Sequence, residues 1–224
     1  MKREIVKIER VRDYTREKHA DEGFLALKRF KLKNKYADGG ESPEYSCEFI
    51  LRNGLDAVGV ALYSERPKGG FDVHLVRAFR PAVTMRPLNP ETSPFLDEIV
   101  AGIIEPDDEP GEAGIRKRAS EEALEEAGFK VAPEEFFFLG GPLFPTPGAH
   151  TEKLYFVAAK VDADAQVEPT RDGSVYESES YAVKYDFAAA LKMCDDGLIK
   201  DAKTEIALYR LYRRLCAAAD ASMK

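Results

Sequence analysis

The chain has 224 residues, 44% hydrophobic and 10% aromatic, which is enough to bury a substantial core and too apolar for disorder of the whole chain. A formal charge of −7, from 33 basic and 40 acidic side chains, argues against broad nucleic-acid binding, and no run of 18 apolar residues offers a membrane span. Cys47, Cys194 and Cys216 are widely separated and lack CxxC spacing, so neither a disulfide framework nor a zinc knuckle is indicated.

The opening MKREIVKIERVRD alternates charged with apolar residues and contains no hydrophobic region of signal-peptide type, so a soluble cytoplasmic protein with free thiols is expected. Residues 23–33 and 45–52 have partial period-two alternation and read as an antiparallel pair around the Asp-Gly-Gly turn of NKYADGGESPE. LDAVGVALYS (55–64) and FDVHLVRAF (71–79) read as a hairpin. The Pro-rich stretch 86–98 reads as a loop over a cleft, followed by a short strand, EIVAGIIE, and a polar segment, PDDEPGE.

A helix is expected from about 112 to 127, with Gly128 at a left-handed C-cap and Phe129 covering the last turn. FFFLGG, 153–162 and 180–187 supply further strands, 163–179 reads as a long polar loop, and a last helix covers about 202–218. Strands, helix, strands, helix indicate a mixed α/β layer arrangement.

The chemistry concentrates in SEEALEEAGF (120–129). Glu122, Glu125 and Glu126 stand at i, i+3 and i+4, so one helix face presents three carboxylates. Mg²⁺ binds through a few such carboxylates together with substrate phosphates, whereas the bland reading is a solvated acidic face. Arg118, one turn earlier, is placed to pair with Glu121 or Glu122.

Ala101-Gly102, the acidic helix and the Gly-Phe stop together resemble the Nudix box. Two departures stand out: PDDEPGE lengthens the opening, leaving Glu105 and Glu112 both as candidates for the first glutamate, and Glu121 stands where the pattern has arginine. The wider chain is similar to the ADP-ribose and nucleoside-diphosphate-sugar pyrophosphatase branch, carried by VRAFRPAV (76–83), EIVAG (98–102), PTPGAHTE (145–152) and VYESES (175–180).

The resemblance implies an α/β Nudix fold, a mixed β-sheet sandwiched by helices, with a small N-terminal antiparallel β module over 1–54 and a hydrolase domain over 55–224. It implies a homodimer, a small-molecule nucleoside diphosphate sugar as partner, no nucleic acid or membrane partner, and Mg²⁺, or Mn²⁺ in its place. Glu122, Glu125, Glu126, Glu179 and the Ala101 carbonyl would bind metal. Arg80 would contact the diphosphate, Glu98 the terminal sugar or the dimeric pocket, and Glu152 the substrate cleft. Glu177 is the implied base, with Glu122 and Glu126 beside it in catalysis; His150 is read as a loop histidine. ADP-ribose, cleaved to AMP and ribose 5-phosphate, ranks first, with a UDP-sugar such as UDP-glucose close behind. A nucleotide-binding regulatory protein without hydrolysis is the rival of a different class.

Overall fold

A computed structural model describes residues 5–13, 24–52 and 54–222. Their packing separates the described residues of Met1–Leu55 with Phe144–Lys153 from those of Asp56–Leu143 with Leu154–Lys224.

The first unit is a three-stranded antiparallel sheet, β1 (Ile5–Asp13), β2 (Leu25–Tyr36) and β3 (Tyr45–Arg52), in that order. The sequence reading anticipated β2 and β3 as a pair; Gly23, where it began the first of them, lies outside the described residues. The alternation noted in the opening segment belongs to a third strand, β1, paired from Ile5↔Tyr36 to Asp13↔Phe30. Residues 144–153 join this unit through the Ile50 amide, which donates to the Ala149 carbonyl at 2.8 Å.

The second unit is built on a seven-stranded mixed sheet. The hairpin appears as β4 (Ala57–Glu65) and β5 (Phe71–Phe79). Two short strands, β6 (Phe95–Glu98) and β7 (Val100–Ile103), replace the single strand expected over 98–105, and pair with β5 and β4. They are followed by β8 (Phe137–Phe138), β9 (Leu154–Lys160) and β10 (Tyr181–Asp186). The order is β10-β5-β4-β9-β8, and only the β4–β9 pairing is parallel.

Strand β4 is buried from Ala57 through Ser64, the continuous apolar pattern of a strand covered on both faces. Its Val58, Val60 and Leu62 enter one core with Ile115, Ala119, Ala123 and Ala127 of helix α1 (Glu112–Ala127). Ala57, Ala61 and Tyr63 enter the other, with Ala207, Leu208 and Leu211 of the C-terminal helix. The mixed sheet is thus sandwiched by helices, as expected.

The polar stretch 163–179 carries a short helix, α2 (Val175–Glu179), which its composition did not announce. Helix α3 (Phe187–Asp195) follows β10 directly, capped by Asp186, whose carboxylate accepts from the Ala189 amide at 2.9 Å; it too was unanticipated. Helix α4 (Ala202–Ser222) extends the expected last helix by about one turn. The end of α1 follows expectation: Gly128 has φ +73°, and the Phe129 amide donates to the Ala123 carbonyl at 2.9 Å.

Candidate active site

The site assembles where α1 crosses β7. The Ala101 amide donates to Glu126 Oε2 at 3.0 Å. Beside it, a Cβ on Gly102 would stand 1.9 Å from Glu122 Oε1, so the carboxylate occupies the space that any other residue's side chain would fill. The Ala-Gly pair therefore seats two glutamates from successive turns of one helix.

Burial, then the neighbouring Glu126 and Glu125, push the Glu122 carboxyl up to about 8, with Arg118 acting in the other direction. Burial also raises Glu126, to about 7, against the Ala101 amide and Arg80. Two neighbouring carboxyls held so far above their ordinary range, first by burial, mark a candidate functional site. Glu125 is half-buried on the same helix face. No group of three or more His, Cys, Asp or Glu side chains among the described residues forms a ready-made metal cage. An all-oxygen, partly assembled donor set of this kind fits Mg²⁺, which keeps waters and takes its remaining ligands from phosphate.

A cationic wall lies at the end of β5. The Arg80 guanidinium donates from Nε and Nη2 to the two oxygens of Glu98 at 3.0 and 3.1 Å. Lys203 of α4 pairs with the same carboxylate and lies 3.0 Å from Asp201. Glu98 is only 3% exposed; burial works against its charge, but Lys203 and Arg80 together hold it below the usual range. Glu98, expected at the terminal sugar or in the frame of the dimeric pocket, is the shared counter-ion of two cations. Lys203 went unremarked in the sequence, because a lysine at the start of a C-terminal helix has no local pattern linking it to a strand 105 residues earlier.

Helix α2 brings Glu177 into the same field: its charge acts on both Glu122 and Glu126, and its own carboxyl is raised, first by burial. Ser174 caps α2 by accepting from the Glu177 amide at 3.2 Å, and Glu177 accepts from the Asp172 amide. Ser180 ties α2 to β5, accepting from the Phe79 amide at 2.9 Å and donating to the Tyr176 carbonyl at 2.6 Å. The preceding loop closes the end of α1: Gln166 Nε2, the Val167 amide and the Arg171 amide donate to the Ala127, Gly128 and Glu125 carbonyls.

The other candidates are placed differently. Glu179 is exposed, two residues beyond Glu177, a spacing that turns the two side chains to different sides of a helix. Glu152 belongs to the first unit, where it pairs with Arg52 at 2.8 Å and lies 3.5 Å from His150. Arg118 does reach Glu121, at 3.3 Å, but its stronger partner is Asp108.

No family model matches the chain. It is 33% identical over 159 residues to a GDP-mannose pyrophosphatase of Cronobacter sakazakii, covering 71% of this chain and 74% of that one. A GDP-mannose pyrophosphatase of Pectobacterium atrosepticum is 36% identical over 66% of this chain and 68% of its own. An ADP-ribose pyrophosphatase of Haemophilus influenzae is 30% identical over 63% and 59%. Among solved structures, an ADP compounds hydrolase superposes with a TM-score of 0.59 over 97% of this chain and 96% of that one, at 16% identity, a likeness of fold.

Proposed function

The chain belongs to the Nudix hydrolase superfamily, in its nucleoside-diphosphate-sugar pyrophosphatase branch, and on that premise we propose that it hydrolyses the pyrophosphate bond of a nucleoside diphosphate sugar in a Mg²⁺-dependent reaction. The observation that carries the reading is the seating of Glu122 and Glu126 on Ala101-Gly102, with Arg80 acting on Glu126 from the end of β5.

Arg80, aligned by Glu98, offers a planar fork to the diphosphate, and Lys203 adds a point charge on the same carboxylate. Glu122, Glu125 and Glu126, with the Ala101 carbonyl, would hold Mg²⁺, or Mn²⁺ in its place. Such a cation, when bound, supplies charge stabilisation at the phosphate oxygens and a lowered water pKa. Glu177, one oxygen of which is held by the Asp172 amide, takes the proton from the attacking water on its other oxygen. A nucleoside monophosphate and a sugar phosphate leave.

GDP-mannose and ADP-ribose are the two leading substrates. GDP-mannose comes first because the relatives that match about two-thirds or more of both chains carry that name. A homodimer in a reducing cytoplasm completes the proposal, supported by the resemblance and by free thiols at Cys47, Cys194 and Cys216. No helix among the described residues is long and apolar enough to cross a membrane.

The test is monophosphate release from GDP-mannose, ADP-ribose, UDP-glucose and NADH, with and without Mg²⁺, beside Glu126→Gln. Metal-dependent release that the variant loses supports the reading. Nucleotide binding without turnover across the panel refutes it in favour of a regulatory protein.

A further inference from the structure

The two departures from the Nudix box, the inserted loop and Glu121, meet at one side chain. The Glu105 amide donates to Asp108 Oδ2 at 2.8 Å, and the Asp108 amide donates to the Glu105 carbonyl at 3.1 Å, folding 105–108 into a turn. The Asp108 carboxylate then receives Arg118 in a fork, Nε to Oδ2 at 3.0 Å and Nη2 to Oδ1 at 2.9 Å. The remaining terminal nitrogen, Nη1, lies 3.3 Å from Glu121 Oε2. All three guanidinium nitrogens are engaged, and the fork is largely buried: Asp108 is 6% and Arg118 18% exposed.

A second contact holds the loop to the helix. A Cβ on Gly114 would fall 1.6 Å from the Glu109 carbonyl oxygen, so the first turn of α1 accepts the loop backbone only because it carries glycine there. Glu122 follows Arg118 by one helical turn, and Arg118 is the cation that acts on it.

We propose that Asp108 and Arg118 are positioning residues for the reaction: the inserted loop locks the guanidinium one turn from Glu122 and so fixes the glutamate face for its divalent cation. The inference rests on the hydrolase reading above. The lock depends on fork geometry, because a lysine has the charge but not the paired, planar donors. Glu121 serves it as an outer partner, so an acidic residue where the box pattern has arginine is part of the device.

The test compares Asp108→Asn, Arg118→Lys, Arg118→Met and the double variant Asp108→Asn/Arg118→Lys, with Lys130→Ala as a control at an exposed position just beyond the same helix. Two quantities are read: kcat and KM for the substrate identified above, and Mn²⁺ affinity by electron paramagnetic resonance, which needs no turnover. Expected is a fall in kcat of about 10- to 100-fold with little change in KM, and a several-fold weaker Mn²⁺ affinity, in Asp108→Asn and Arg118→Lys alike. The double variant should be no worse than the weaker single, since one lock is lost only once.

Wild-type kcat and Mn²⁺ affinity in Arg118→Lys and Asp108→Asn overturn the proposal, as does equal impairment in Lys130→Ala. If Arg118→Met fails to fold, Asp108→Asn, which leaves the arginine in place, decides. Weakened Mn²⁺ binding in the lock variants of a protein that turns over no substrate would uphold the lock and sink the hydrolase reading.

Discussion

Replacing Gly102 by alanine should separate activity from stability. The added Cβ would stand 1.9 Å from Glu122 Oε1, 2.1 Å from Cδ and 2.3 Å from Cγ. Carbon and oxygen rest at roughly 3.4 Å, so the carboxylate must retreat by about 1.5 Å. Strand geometry at Gly102 suits alanine, and the displaced group is the end of a flexible side chain already disfavoured in its buried place. Folding stability should therefore change by no more than about 1 kcal/mol. Activity should not escape: a misplacement of about 1 Å costs a reaction roughly 100-fold. The assay is kcat for monophosphate release at saturating Mg²⁺, beside a urea unfolding curve. A Gly102→Ala protein that keeps its native kcat would refute the placement of Glu122 in the reaction, and one that unfolds would refute the claim that the glutamate yields.

Three further outcomes follow from other contacts. Glu98→Gln should lower kcat/KM about 10- to 100-fold, because Arg80 and Lys203 lose the carboxylate that aligns them; unchanged steady-state kinetics would show that Arg80 needs no alignment. His74 is buried, 2.9 Å from Ser64 Oγ and stacked edge-on at 4.7 Å on Phe129, and burial, aided by Lys184 and opposed by Asp72, lowers its pKa to about 4. The unfolded chain takes up that proton near the ordinary 6.5, so the stability this group contributes is full above that pH and is lost as pH falls towards 4, by about 3 kcal/mol; the difference between wild type and His74→Gln in urea, at pH 7.5 and 4.5, should shift accordingly. Gly128→Ala should destabilise by about 2 kcal/mol or more, since φ is +73° and the new Cβ would meet the Val167 carbonyl at 1.9 Å; thermal unfolding measures it.

What the sequence made legible was whatever a single local period carries. The β4–β5 hairpin, α1 with its glycine stop, and the triplet Glu122, Glu125, Glu126 all declare themselves within a few residues. Helix α3 did not, because nine residues beginning at the last position of a predicted strand show too few turns for a helical period to emerge. Helix α2 is shorter still, and its signal was a cap, Ser174 with Glu177 three residues on, hidden in a polar run. The ion pairs of Lys203 with Glu98 and of Arg118 with Asp108 were out of reach for a different reason. Each joins a helix to a strand or loop, and only the folded path brings the partners together. Glu152 shows another limit: its loop motif was readable, but not its ion pair with Arg52 within the first unit.

The loop that closes the end of α1 has a consequence for when the site is assembled. The same donors that satisfy the helix's last carbonyls, from Gln166, Val167 and Arg171, set the path by which the chain reaches Ser174 and Glu177. Finishing the helix and placing Glu177, the proposed base, therefore depend on the same stretch of folded chain. The entropy of bringing Glu177 to the glutamate face is met once per molecule and not at every encounter with substrate.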